Sequence, residues 1–406
     1  MAISINELDI PQVDFDFVGN QAERDQLASI AQDSWIAKGL FAYPIFNYED
    51  CLAILRDRRW HSAAALAAIA FGVDDPRLSE NRQPSILSSE GEVHTRLRRL
   101  VAPSFSPRAA DHLRPFMREV MNSLIDAIVA QGHCDLAVDI CEHYPIPIIC
   151  ELLGAPKSDW QFFSRVAEDV LRIFDANNAD EIDLILAAQA DLDAYVRQLI
   201  AERRDSPADD LITSLIAAEE AGDKLNENEL VSMVQAVIIG GTDTTRNQLG
   251  CSVALFAEHP EQWKLLAERP ELAGKAVEET MRYFGAVRST GRFASEDIEY
   301  KGILFPKGTL VVPSLVLANR DSAVFNEPNT FDITREPAGQ PQMTFGAGIH
   351  YCLGAALARA EQQEALPLLA QRLPDLRISG DVIWKPSTVA IFGPEKLPIS
   401  FARKMQ

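Results

Sequence analysis

One cysteine, set where a glycine-rich loop runs into an alanine-rich helix, constrains this chain more than any other feature. The loop reads Phe345-Gly346-Ala347-Gly348-Ile349-His350-Tyr351-Cys352-Leu353-Gly354, and Ala355-Ala356-Leu357-Ala358-Arg359-Ala360-Glu361 follows it. Ala and Leu are strong helix formers, so Cys352 stands at a helix N-terminus. There it meets backbone N–H groups without intrahelical partners and the positive end of the helix dipole. Both favour thiolate over thiol. Gly346, Gly348 and Gly354 lack a Cβ, so a flat group can approach the backbone closely. A thiolate set against a planar ring suits an axial haem ligand. The plain alternative is a buried free cysteine in a glycine-rich turn.

Composition narrows the classes. The net charge is −21, which disfavours nucleic-acid binding and reads as a solubility feature. No run approaches the roughly 20 apolar residues that span a bilayer. Met1 to Asn20 lacks a basic region followed by an apolar core, so neither signal peptide nor anchor is expected, and a soluble cytoplasmic protein is. None of the six cysteines lies in a CxxC pair, which fits a reducing compartment. Helical patterns dominate, at Arg114–Gln131, Asp180–Arg204, Glu227–Leu249 and after Cys352. Short β signals lie near Phe41–Phe46, Phe293–Leu304, Thr309–Pro313 and Val389–Phe401. The expected architecture is mainly α with small β-sheets. With no repeat or linker, residues 1–406 read as one unit, an α-rich lobe with a smaller β-rich portion.

Three further segments carry chemistry. Ile238-Ile239-Gly240-Gly241-Thr242-Asp243-Thr244-Thr245 lies inside a helical pattern, although each glycine costs about 1 kcal/mol relative to Ala and the hydroxyl residues compete for backbone hydrogen bonds. A carboxylate beside a hydroxyl can deliver protons into an apolar pocket; a kinked core helix with Asp243 pairing locally is the alternative. His94-Thr95-Arg96-Leu97-Arg98-Arg99 puts His94 and Arg98 on one helical face, where cations can hold carboxylates; a solvated basic helix would look the same. Glu279 and Arg282 form an i,i+3 pair, alone worth a few tenths of a kcal/mol.

In this order and at these spacings, the segments resemble the cytochrome P450 family over nearly the whole chain. The resemblance implies that fold, with haem b between a long distal helix and the proximal helix after Cys352, whose sulfur ligates the iron; Phe345 and Gly354 belong to the same signature. It implies that Asp243 belongs to a proton relay, that Thr244 hydrogen-bonds dioxygen or its ordered water, and that Gly240 and Gly241 open the groove beside them. His94, Arg98, Arg292 and His350 would hold the haem propionates. Glu279, Arg282 and Arg335 would form a structural triad, and Asn319-Arg320-Asp321 also fits the family pattern. Ala236, Ile239, Gly240, Val287, Ser289, Ile391 and Phe392 match pocket-lining positions. They are mostly apolar, so an apolar small organic substrate is expected. Ala63–Phe71 would border the access region and Phe162–Asn178 would act as a mobile lid. One departure is visible: Ala286-Val287-Arg288 stands where the family often has Pro-Val, so the backbone is less restrained there. Alternation along a strand sends Arg288 outward if Val287 and Ser289 point inward.

The function this implies is a haem-thiolate monooxygenase, hydroxylating an apolar substrate with O2. No fused reductase is expected, so electrons would come from a ferredoxin and an NAD(P)H-dependent reductase. Arg96, Arg99 and Arg108 form a candidate docking patch on an acidic protein, although ordinary surface arginines would look the same. A monomer is expected. The alternatives are a peroxide-driven oxygenase of the same fold, which Asp243-Thr244 argues against, and a haem sensor or carrier, for which no partner domain or DNA-binding motif is visible.

Overall fold

The computed structural model describes residues 2–15, 21–66, 85–174, 181–220, 225–337, 339–386 and 391–403. The architecture is mainly α with small sheets. Helices α1 (Gln21–Ile30), α2 (Tyr48–Arg56), α3 (Gly91–Val101), α4 (Pro107–Ile128), α5 (Pro145–Leu153) and α6 (Trp160–Leu171) are followed by α7 (Ile182–Asp205), α8 (Leu211–Glu220) and α9 (Glu227–Glu258); α10 (Pro260–Glu268), α11 (Ala273–Phe284) and α12 (Ala355–Arg372) complete the principal set. Among the described residues no helix is long and apolar enough to cross a membrane.

The 32-residue helix α9 is the axis of the fold. Its start is held by a capping box: Asn226 Oδ1 accepts from Glu229 N (2.9 Å), and Glu229 Oε2 accepts from Asn226 N (3.0 Å), satisfying two donors that a helix start leaves free. It runs on past the expected end at Leu249 to Glu258, because Cys251, Val253, Leu255 and Phe256 continue the buried pattern. Helices α5, α6, α7, α11 and α12 pack around it. Helix α4 begins earlier than the expected Arg114, at Pro107, where Ser106 Oγ accepts from Ala109 N (3.3 Å) and proline suits the first helical position. Helix α12 lies along α4, and the buried Tyr144 hydroxyl donates to Glu361 O (2.9 Å).

The expected β signals resolve into strands of two to four residues. A four-stranded sheet has β2 (Tyr43–Ile45) parallel to β8 (Leu310–Pro313), then β5 (Arg292–Ala294) and β3 (Trp60–Ser62), both antiparallel to their neighbours. Its register sets Ser62 opposite Arg292, joining a strand before α3 to one that follows α11. Residues 389–390 of the last β signal lie outside the described residues; beyond them β11 (Pro394–Lys396) belongs to a two-stranded sheet and β12 (Pro398–Ser400) is the central strand of a three-stranded one. A second apolar cluster, including Ile45, Trp60, Phe305 and Val311, packs under the four-stranded sheet.

The Glu279–Arg282–Arg335 cluster forms. Glu279 and Arg282 are 3% and 2% exposed and pair at 2.7 Å, and Arg335 Nε reaches Glu279 Oε1 at 3.1 Å. Arg282 also donates to the carbonyls of Asn319 (3.1 Å), Pro328 (2.7 Å) and Thr330 (3.0 Å). These bonds fasten the stretch before the cysteine loop to α11. Asn319 Oδ1 then accepts from Met343 N (2.6 Å) and Thr344 Oγ1 donates to Met281 O (2.8 Å), which sets where the loop begins.

Candidate active site

The cysteine loop is shaped by its backbone. Gly346 N donates to Met343 O (2.7 Å), Cys352 N to Phe345 O (2.9 Å), and Gly348–His350 make a 3-10 turn. Gly348 serves a different end from the one its sequence suggested: at φ +73°, a Cβ there would lie 1.9 Å from Leu55 O, so it is needed for packing against the end of α2. Gly346 and Gly354 face open space, since a Cβ on either would meet nothing within 4 Å.

The thiol departs from expectation. Burial pushes the Cys352 pKa above its usual value, against the Gly354 N–H, Arg98 and Arg359, which pull it down. Desolvation therefore outweighs the helix N-terminus in the protein alone, and a bound metal would favour the thiolate. Arg359 lies across the Phe345 ring, 4.4 Å from its centroid, and pairs with Glu278.

Beside the cysteine four cationic or potentially cationic side chains converge. Arg98 Nη2 donates to Tyr351 O (2.7 Å). Arg292, 4% exposed, donates through Nη1 to Thr290 Oγ1 (3.0 Å) and Gly291 O (2.8 Å). Among the described residues neither guanidinium has a carboxylate partner, and burial drives the Arg292 pKa down to about 10. The His94 and His350 rings lie 4.5 Å apart. His94 is buried with Nε2 unpartnered, and burial, then the neighbouring His350 and Arg98, lower its pKa to about 4. Unpaired buried donors are costly. Two guanidiniums and two imidazoles, next to a thiol and open glycine faces, fit a flat group bearing two carboxylates. Haem is such a group: Cys352 would take its iron, and Arg98, Arg292, His94 and His350 its propionates.

Helix α9 supplies the opposite wall. Ala236, Ile239, Gly240 and Thr244 form a partly exposed stripe along it, with Gly240 open in mid-helix. By contrast, a Cβ on Gly241 would strike Ile149 Cδ1 at 2.2 Å, so that glycine serves packing against α5. Thr244 Oγ1 donates to Gly240 O (2.8 Å). Asp243 is 3% exposed, and its Oδ1 accepts from Arg246 Nε (2.7 Å) and Lys385 Nζ (3.2 Å). Arg246 continues to Glu168 on α6 (2.9 Å). The helices of the acid and the cysteine meet where Gln362 Nε2 donates to Thr245 O (3.3 Å).

The remaining expected pocket positions divide. Val287 bridges to Ile391 and Ser289 to Ser314, and Val287, Ser289 and Ile391 are partly exposed. Phe392 is buried in an aromatic cluster, stacked on Trp384 at 5.1 Å, with the Arg288 guanidinium 3.3 Å from its ring centroid. Arg288 thus lies against Phe392. Of the expected access region, Ala63–Leu66 make a 3-10 turn and residues 67–71 lie outside the described residues. Of the expected lid, Phe162–Leu171 lie in α6 and residues 175–178 lie outside the described residues.

Sequence reasoning misplaced one arginine and missed several partners. Arg96 belongs to no free basic patch: it forms a bidentate pair with Glu229 (3.0 and 2.5 Å) at the start of α9, leaving Arg99 and Arg108 exposed. Arg246 stands at an i,i+3 spacing from Asp243 on α9, but Lys385 and Glu168 gave no sequence signal, because they come from the β10 (Ile383–Trp384) region and α6.

Comparison with known proteins agrees with this geometry. The family model described as Cytochrome P450 matches residues 69–374. The chain is 33% identical to cytochrome P450 CYP107DY1 of Priestia megaterium, over 98% of this chain and 99% of that protein. It is 35% identical to the mycinamicin IV hydroxylase/epoxidase of Micromonospora griseorubida, over 88% and 89% respectively. The crystal structure of CalO2 superposes with a TM-score of 0.85 at 30% identity, covering 94% of this chain and 96% of that one. With a match over most of its length, and with the cysteine loop, acid–alcohol pair and carboxylate cradle in one site, the chain belongs to the cytochrome P450 family of haem-iron oxidoreductases.

Proposed function

We propose that the protein is a haem-thiolate monooxygenase that inserts one oxygen atom from O2 into an apolar small organic molecule, hydroxylation being its main reaction. The observation that carries this is the pairing of Cys352, the carboxylate-free Arg98 and Arg292 and the unpartnered His94 Nε2 with the open Ala236–Thr244 stripe. When bound, haem supplies the oxidising chemistry, with the thiolate favouring O–O cleavage. The protein's part is to hold the group, exclude water and deliver protons. Thr244 Oγ1, after leaving Gly240 O, would pass a proton into the groove and take its replacement from solvent by way of the neighbouring Asp243 carboxylate, which Arg246 and Lys385 hold. The apolar residues Ala236, Ile239, Val287 and Ile391 orient the substrate.

The test is the absorbance difference of the reduced protein with and without carbon monoxide. A strongly red-shifted Soret band supports thiolate ligation; haem without that shift overturns it. A reductase-driven turnover assay then separates this reading from the peroxide-driven alternative: product with hydrogen peroxide but none with a reductase system would reverse the choice. Thr244→Ala is expected to keep NADH consumption while diverting most of it to peroxide, read as the ratio of product to NADH. Unchanged coupling would remove the relay role.

Electrons are proposed to come from a ferredoxin and its NAD(P)H-dependent reductase. Arg99 and Arg108 are exposed, Arg99 bordering a cleft with Ile349 of the cysteine loop, and complementary charge speeds encounter with an acidic partner. Arg99→Glu is expected to slow ferredoxin-driven reduction several-fold in stopped flow and leave dithionite reduction unchanged; equal ferredoxin rates would discard the docking face.

A further inference from the structure

We propose that Glu90 is a positioning residue for the cofactor: tied to His350 and to the end of β3, its carboxylate sets a third negative charge beside the two haem propionates and lowers the reduction potential of the iron. This rests on the haem-thiolate reading above.

Glu90 stands at the N-cap of α3, but its side chain does not cap that helix. Its Oε1 instead accepts from Ser62 N (2.7 Å) and His350 Nε2 (2.9 Å). One oxygen thus joins the start of α3, the last residue of β3 and the cysteine loop. The turn that allows this is Gly91, whose φ of +58° lies in the left-handed region that glycine adopts without strain. His350 lies against His94, and Ser62 pairs across the sheet with Arg292, so Glu90 is surrounded by the residues assigned to the propionates.

Its charge is retained there. Burial works against ionisation, but the hydrogen bonds from His350 and from Ser62 N hold the carboxyl below its usual range. Among the described residues Oε2 has no partner, and a cleft of about 410 Å³ bordered by Arg58, His61, Glu90 and Arg99 opens beside it. No arginine cancels Glu90 in an ion pair; its hydrogen-bonded partner is a histidine. Reduction adds an electron to the iron, so a fixed negative charge nearby opposes it in a medium of low dielectric.

The experiment is a spectroelectrochemical titration of the ferric/ferrous couple in full-length holoenzyme at fixed pH and salt. The proteins are wild type, Glu90→Gln, Glu90→Ala and, as a surface control, Glu92→Gln, an exposed carboxylate on the same cleft. Gln keeps an amide oxygen for Ser62 N and His350 and removes only the charge. Its midpoint is expected to rise by about a tenfold change in the reduction equilibrium, ~59 mV for one electron, with the control far smaller. Glu90→Ala should raise the midpoint similarly and also release haem faster to an apomyoglobin trap. An unmoved midpoint in Glu90→Gln, or an equal shift in Glu92→Gln, overturns the role of Glu90 while leaving the enzyme intact. Absence of the red-shifted carbon monoxide band from the wild type would remove the haem-thiolate reading itself, and this inference with it.

Discussion

Cys352→Ser should abolish the red-shifted carbon monoxide band and bring reductase-driven product formation to background, while leaving the fold in place. The loop is held by backbone bonds such as Cys352 N to Phe345 O (2.9 Å), which serine keeps. A serine hydroxyl has almost the same volume, but it gives up the soft, polarisable anion that an axial thiolate provides. The Arg98, Arg292, His94 and His350 cradle is untouched, so the variant should still take up haem. The readouts are the reduced carbon monoxide spectrum, turnover and thermal melting; a retained band would place the axial ligand elsewhere.

The second large effect is on stability. Glu279→Ala should cost about 3–5 kcal/mol, the usual consequence of leaving a buried charge without its partner. Arg282 is 2% exposed and would keep only carbonyl contacts, and Arg335 would lose its partner at 3.1 Å. Against a typical total of about 5–15 kcal/mol, that loss threatens folding at physiological temperature. Chemical denaturation of the variant beside Lys264→Ala measures it, because the Lys264–Glu268 pair is exposed at 77% and 60% and should matter little. A loss no greater than the control's would mean that the cluster is replaceable.

The parts of the site legible in the sequence are those whose chemistry is written in contiguous spacing. Cys352 announces itself by a glycine loop running into helix formers, and Asp243-Thr244 by polar residues where an apolar helix has no local use for them. Glu279 and Arg282 were legible as a pair, but a lone i,i+3 spacing says nothing about burial; only the carbonyls of Asn319, Pro328 and Thr330 turn it into a clamp. Arg96 was read by charge alone, and charge does not say that Glu229, 133 residues away, occupies it. Lys385 and Glu90 left no trace because their partners come from distant elements, 142 and 260 residues off for Asp243 and His350. The strands were placed only roughly, since two to four residues are too short for alternation to be read, and the long helices extended where capping or continuous burial favoured it.

The span of the cradle bears on how the protein is made. Arg98 meets the backbone of Tyr351 across 253 residues of chain, and Glu90 meets His350 across 260. Contacts of such separation form late, because the intervening loop must first be closed at an entropic cost. A nascent chain leaving the ribosome carries His94 and Arg98 long before the thiol is synthesised. A polypeptide stalled before residue 350 carries His94 and Arg98 without Cys352, so any group that needs both halves of the cradle can be held only by the finished chain.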